Sequence, residues 1–219
     1  MKYSKVVKAT FIERPNRFVA KVRLENGDIE TVHVKNTGRC KEILLPGTEV
    51  YLEKAADDKV ERKTAYDLVT AVKENFGLIN IDSQAPNKIA YEWLLSRDYD
   101  LVRPEYKYGN SRIDFYMEKG KKKFLMEVKG CTLERNGIGY FPDAPTARGR
   151  KHIYELIGAK KAGYHAILAY VIQMDNVNEV RPNTETDPEY AKAIADAKKA
   201  GVEILFIRCH VKSDEVTAV

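Results

Sequence analysis

The sequence predicts a mixed α+β protein, with a small all-β barrel over residues 1–82 followed by an α/β domain over residues 83–219. Three observations predict it. Short apolar alternations of period two, cut by turn residues, fill the first part of the chain. After the polar, Pro-closed stretch Asp82-Ser83-Gln84-Ala85-Pro86-Asn87, helical and strand periodicities alternate. Within that second part, a hairpin between Ser111 and Cys131 carries carboxylates where buried strands should be apolar.

In the first part, strands are expected at Val6 to Ile12, Phe18 to Leu24, Ile29 to Val34, Glu49 to Glu53 and Tyr66 to Val72. Pro15-Asn16, Asn26-Gly27-Asp28, Asn36-Thr37-Gly38 and Pro46-Gly47 separate them as turns. Five or so strands in this length suit a compact barrel of oligonucleotide-binding type, and a small sandwich is the other architecture they allow. Arg14, Arg17, Lys21, Arg23, Lys35, Arg39 and Lys41 are spread through it, with Phe11 and Phe18 nearby. A basic groove with stacking side chains tracks a nucleic-acid backbone, so Arg17, Arg39 and Lys41 are candidate binding residues.

In the second part, Asn87 is the expected N-cap of a helix to about Ser96, with Ile89, Trp93 and Leu94 on its inner face and Glu92 beside it. Leu101 to Tyr106 reads as a strand, and the hairpin follows. Thr146 can cap a helix to about Ala162, ended by Gly163. Its first turns hold Arg148, Arg150, Lys151 and His152, cations where the helix dipole prefers anions, a placement suited to holding phosphate. Arg148, His152 and Glu155 share one face. Tyr164 to Ile172 reads as a buried central strand, Pro188 to Ala200 as an amphipathic helix and Val202 to Arg208 as a last strand. Arg181 to Asp187 is expected as a surface loop, and the chain from Lys212 to fray.

The hairpin carries the chemistry. A two-residue turn at Gly120-Lys121 pairs Lys119 with Lys122 and, by the same register, Asp114 with Glu127. Facing carboxylates repel unless a cation lies between them. Lys129, two residues beyond Glu127, falls on the same face. Asp114, Glu127 and the backbone carbonyl of Val128 form an oxygen donor set suited to Mg²⁺, or Mn²⁺ in its place. Lys129 could orient water or offset charge on phosphorus, which makes Asp114, Glu127 and Lys129 the candidate catalytic residues for phosphodiester hydrolysis. An Asp followed by Glu-x-Lys on the next strand resembles the restriction-endonuclease-like nucleases. That resemblance implies an α/β nuclease core and makes Glu92 a possible accessory acid, since such nucleases often bring one from the preceding helix.

Composition bounds the rest. The 219 residues are 44% apolar and 32% charged, as expected of a globular chain, with a net charge of +5 that permits a nucleic-acid partner. No apolar run reaches membrane-span length and no secretory segment opens the chain, so a cytoplasmic location is expected, with no membrane partner. Cys40, Cys131 and Cys209 are too scattered for a zinc site or a disulfide framework and are expected as buried thiols.

Short blocks in fixed order make the chain similar, over nearly its full length, to the sugar fermentation stimulation protein A family. They are Asn36-Thr37-Gly38, Ala85-Pro86-Asn87, Lys107-Tyr108-Gly109, Ser111-Arg112-Ile113-Asp114-Phe115, Glu127-Val128-Lys129, Phe141-Pro142-Asp143-Ala144, Thr146-x-Arg148-Gly149-x-Lys151-His152 and Asp187-Pro188. Arg39-Cys40 departs from the Ser-Met commonly found there. The resemblance implies an oligonucleotide-binding-like barrel, a nuclease-like domain, DNA binding and an effect on sugar metabolism, especially that of maltose. A non-catalytic DNA-binding regulator is the alternative to a nuclease, although no helix-turn-helix is apparent. Many nucleases of this architecture act as dimers, so a homodimer is one implied state.

Overall fold

The computed structural model describes residues 1–36, 38–55 and 63–219, so Thr37 of the Asn-Thr-Gly block lies outside the described residues. The first six strands are β1 (Val6–Asn16), β2 (Val19–Leu24), β3 (Ile29–Val34), β4 (Glu49–Lys54), β5 (Tyr66–Lys73) and β6 (Gly77–Asn80). They lie in the order β3-β2-β1-β4-β5-β6, and β3 also pairs with β5, which closes a five-stranded barrel. The period-two residues Ala9, Phe11, Ala20, Val22, Val32, Val34, Val50 and Leu52 fill its interior. Phe11 is therefore core rather than a stacking surface, whereas Phe18 is 54% exposed.

The second part contains α1 (Ala85–Leu95), β7 (Leu101–Tyr108), β8 (Ser111–Lys119), β9 (Lys122–Cys131), β10 (Leu133–Arg135), β11 (Ile138–Phe141) and α2 (Ala147–Lys161). These are followed by β12 (His165–Ile172), β13 (Val180–Pro182), α3 (Pro188–Lys199), β14 (Glu203–Val211) and β15 (Val216–Ala218). The main sheet runs β15-β14-β12-β9-β8-β7, parallel among β9, β12 and β14 and antiparallel elsewhere. Alternate residues of β12 serve different layers: Ile167, Ala169 and Val171 join the cluster holding Ile89 and Leu94 of α1, while Leu168 and Tyr170 join that holding Ile153 and Leu156 of α2. The strand is buried on both faces, which explains its nearly unbroken apolar sequence. β10, β11 and β13 form a small separate sheet.

Three local expectations are corrected. α1 starts at Ala85, with Pro86 in its first turn, so Asn87 is inside the helix and not its cap. The stretch after Lys212 does not fray, because β15 pairs with β14 and Val216 is fully buried. The supposed surface loop at 181–187 contains the end of β13 and two buried polar residues, Asn183 and Asp187. Asp187 caps α3, accepting from the Tyr190 N–H at 2.9 Å, and also accepts from the Thr146 N–H at 2.8 Å. Thr146 caps α2 as expected, its hydroxyl accepting from the Gly149 N–H at 3.0 Å.

The barrel and the sheet meet at a polar seam. Gln173 donates from Nε2 to Asn80 Oδ1 at 2.8 Å and to the Asp82 carbonyl at 2.9 Å, while its own carbonyl accepts from the Asn80 N–H at 2.9 Å. Asn80 Nδ2 in turn donates to the Tyr3 hydroxyl at 2.8 Å. Among the described residues no helix is long and apolar enough to cross a membrane. All three cysteines are buried and unbridged, and burial pushes each thiol up to about 12. A thiol reagent near about pH 8 is therefore expected to leave the native protein unlabelled and to modify all three positions only after unfolding, which mass spectrometry reads directly.

Candidate functional site

The hairpin register fulfils the expectation up to the site and then opens. Phe115 pairs with Met126 and Lys119 with Lys122 across a turn whose first residue, Gly120, has φ of +56°. Beyond Phe115 the two strands splay, and Asp114 Oδ2 accepts instead from the Val128 N–H at 2.7 Å. On its other side Asp114 also leaves the ladder, because the facing residue of β7, Glu105, adopts a φ of +57°. A non-glycine residue there is strained, and such strain collects at functional sites. Asp114 thus stands in a notch between strands rather than within a ladder.

Around that notch lies a cleft of about 290 Å³ lined by Glu105, Arg112, Asp114, Glu127, Val128, Lys129, Arg148 and His152. The fold therefore brings together Asp114, Glu127, Val128, Lys129, Arg148 and His152 from two strands, β8 and β9, and the first turns of α2. Lys129 Nζ donates to Glu127 Oε1 at 2.6 Å. His152 Nδ1 bonds the same oxygen, and Arg148 Nε approaches His152 Nε2 at 3.4 Å. His152 is thereby placed on Glu127 and not free to meet phosphate, while Arg148 remains at the cleft wall.

Two expected residues are not brought in. Lys151 is exposed and pairs with Glu155 at 3.6 Å, whose other partner is the Ser111 hydroxyl. Glu92 faces the Met1 ammonium at 2.6 Å and does not line the cleft. The α1 side chain that does reach the acids is Asn87, which donates to Asp114 Oδ1 at 2.9 Å. Arg112 and Glu105, paired at 2.7 Å, are further lining residues that the sequence reading did not select. Arg112 lies two residues before Asp114, so the strand period of two is the signal that places it on the same face.

The two carboxylates are electrostatically unequal. Burial, then the charge of Glu127, push the Asp114 carboxyl above its ordinary value, against the Val128 N–H, Asn87 and Lys129. Burial would raise Glu127 too, but the His152 hydrogen bond and the Lys129 charge outweigh it and hold that carboxyl low. Glu127 is only 2% exposed, and its second oxygen, Oε2, is buried with no hydrogen-bond partner among the described residues. An ionised oxygen in that position is costly unless a cation meets it. No three His, Cys, Asp or Glu side chains among the described residues form a ready-made cage. The donors on offer are two carboxylates and a backbone carbonyl, the partial set on which a hard cation keeps several waters.

A second surface lies on the barrel. Arg14 donates to the carbonyls of Arg17, Asn36, Gly38 and Arg39, fixing that loop. Arg17, Arg39 and Lys41 then line an open depression with Ala144 of the second domain, and none of the three has a salt-bridge partner among the described residues. By contrast Lys21 is paired to Glu13 at 2.8 Å, and Lys35 lies among Glu53, Asp67 and Asp82.

Comparison with known proteins decides the family. Residues 12–81 match the domain described as SfsA N-terminal OB domain, and residues 84–215 match the Sugar fermentation stimulation protein RE domain. The chain belongs to the sugar fermentation stimulation protein family. A sugar fermentation stimulation protein homolog of Clostridium beijerinckii is 48% identical over 99% of this chain and 96% of its own length. One from Desulfitobacterium hafniense is 46% identical over 100% and 95%. A solved structure of Pyrococcus furiosus SfsA, in complex with Ca²⁺, superposes with a TM-score of 0.84 at 30% identity, covering 100% of this chain and 95% of the other. The barrel-plus-sheet architecture is thus that of the family.

Proposed function

We propose that this member of the family is a divalent-cation-dependent nuclease that grips DNA through its barrel. The observation that carries this reading is Glu127 Oε2, buried and unpartnered beside Asp114. Asp114, Glu127 and the Val128 carbonyl would hold Mg²⁺ or Mn²⁺, and the relative complexed with Ca²⁺, another oxygen-seeking cation, supports that donor chemistry. A cation so held supplies Lewis acidity and an acidified water. His152 and Lys129 converge on Glu127 Oε1, which leaves the buried Oε2 as the uncommitted oxygen of that carboxylate. Lys129, two residues along β9, offsets charge developing on phosphorus, and Arg148 and Arg112 on the cleft wall neutralise the flanking phosphates. On the barrel, Arg17, Arg39 and Lys41 offer unneutralised charge to the backbone, with Phe18 exposed beside Arg17.

The test uses end-labelled single- and double-stranded DNA with the full chain in Mg²⁺, Mn²⁺ or EDTA, beside Glu127→Gln. Fragments that need metal and vanish in the variant are expected. DNA retained equally by both proteins with no fragments in any metal would replace this reading with that of a non-catalytic DNA-binding regulator.

A further inference from the structure

Between the barrel and the α/β domain is a cavity of about 160 Å³ that the proposed chemistry leaves unused. Gly130, Thr132, Tyr140, Phe141, Asp143 and Gln173 supply its second-domain side. Gly130 is the penultimate residue of β9 and Gln173 follows β12, so the cavity sits at the carboxyl ends of two parallel strands, where open α/β sheets place ligands. It is also one residue along β9 from Lys129 of the cleft.

Gln173 is 1% exposed, and both of its amide protons are committed, to Asn80 and to the Asp82 carbonyl. That fixes the orientation of the amide and leaves Oε1 with no donor among the described residues. A Cβ on Gly130 would stand 2.5 Å from this oxygen and 2.6 Å from Pro86 Cγ, so glycine keeps the acceptor clear. Asp143 at the mouth likewise has no hydrogen-bond or ion-pair partner among the described residues. Two donor-less acceptors beside aromatic residues disfavour an anion and suit a planar ring that carries N–H donors.

We propose that this cavity receives an unpaired nucleobase bearing an exocyclic amino group, from the strand lying in the cleft; the inference rests on the nucleic-acid reading of that cleft. The volume compares with the roughly 150 Å³ known to admit a benzene ring, so a pyrimidine fits. Cytosine presents an N4 amino donor where thymine presents the O4 acceptor, and the site separates the two. Because the amino group offered to Gln173 and Asp143 is the one a paired cytosine spends on its partner, the substrate is single-stranded or locally opened.

Equilibrium binding of full-length Lys129→Ala protein to oligodeoxycytidylate and oligothymidylate of equal length, in Mg²⁺, tests this. The cytidylate is expected to bind about fivefold tighter, the difference one net hydrogen bond supplies. In the Asp143→Ala/Lys129→Ala protein that preference is expected to collapse while thymidylate affinity stays within about twofold. Asp143 is exposed, so its removal leaves the fold intact. Equal affinity of the Lys129→Ala protein for the two oligomers, or a preference untouched by Asp143→Ala, would overturn the base site alone and leave the nuclease reading standing. Binding of neither oligomer, with no cutting by the wild-type chain, would remove the nucleic-acid reading and the base site with it.

Discussion

Lys129→Ala is expected to lower metal-dependent cutting by about a thousandfold while DNA affinity changes little. The ammonium is half-buried, lies 2.6 Å from Glu127 Oε1 and shares the cleft with Asp114 and Arg148. It is one of several positive groups there, so phosphate contact survives its loss through Arg148 and Arg112. On the proposed chemistry, what is lost is the ammonium that offsets charge developing on phosphorus. Glu127 keeps its bond to His152, so the carboxylate stays anchored. Lys129→Arg would preserve the charge but spread it over a planar fork, and partial activity is expected. A small alkylamine added to the Lys129→Ala protein should restore some cutting if the ammonium itself acts. Cutting that is unchanged in Lys129→Ala would remove the role assigned to it.

Asp187→Ala is expected to destabilise the protein by about 3 kcal/mol, roughly a 9 °C fall in Tm for a chain of this size. The carboxylate is 3% exposed, caps α3 and receives the Thr146 N–H at the start of α2. Arg150 adds contacts at 2.9 and 2.8 Å. Removing it frees a cap, an N–H and a partly buried guanidinium together. Asp187→Asn keeps a capping oxygen and is expected to cost less than half as much. Burial opposes ionisation of Asp187, but the N–H groups of Thr146 and Tyr190 and the charge of Arg150 prevail and hold the carboxyl low. A depressed carboxyl gives stability that is complete above the unfolded value near about pH 4 and disappears as pH falls through the folded one. The gap between wild type and Asp187→Ala in denaturant melts should therefore be constant from about pH 7 to 5 and shrink below about pH 4. A gap that instead widens in acid would show that the charge is not what holds the two helix starts together.

The hairpin that carries the candidate site could be read from sequence because an even, two-residue turn fixes register arithmetically, and the observed pairing of Phe115 with Met126 follows it. Thr146 as a cap was equally legible, since a capping hydroxyl acts within three residues of itself. The long-range contacts of Asn87, Gln173 and Asp187 were not, for a common physical reason. Their partners lie 27, 93 and 41 residues away, and nothing local marks a polar side chain for burial. Glu92 misled because a helix face was inferred without knowing what covers it, and Met1 does. The first turns of α2 carry four basic side chains, but helical geometry spreads them: Arg148 and His152 turn to the cleft, Arg150 to Asp187 and Lys151 to Glu155. The closing tail looked free because β15 pairs only through an edge that the sequence does not advertise.

The contact between Gln173 and Asn80 joins barrel to sheet through both main chain and side chain, and Tyr3 and Asp82 complete it. Parting the two halves would strand buried amides and a hydroxyl, each at a cost of about 1–3 kcal/mol. Barrel and sheet are therefore expected to unfold together, in one transition that calorimetry would read as a single peak. The interval from the cations around Arg39 to the carboxylates at the splayed strands is consequently a fixed gauge rather than a hinge, and it sets the length of any chain that touches both.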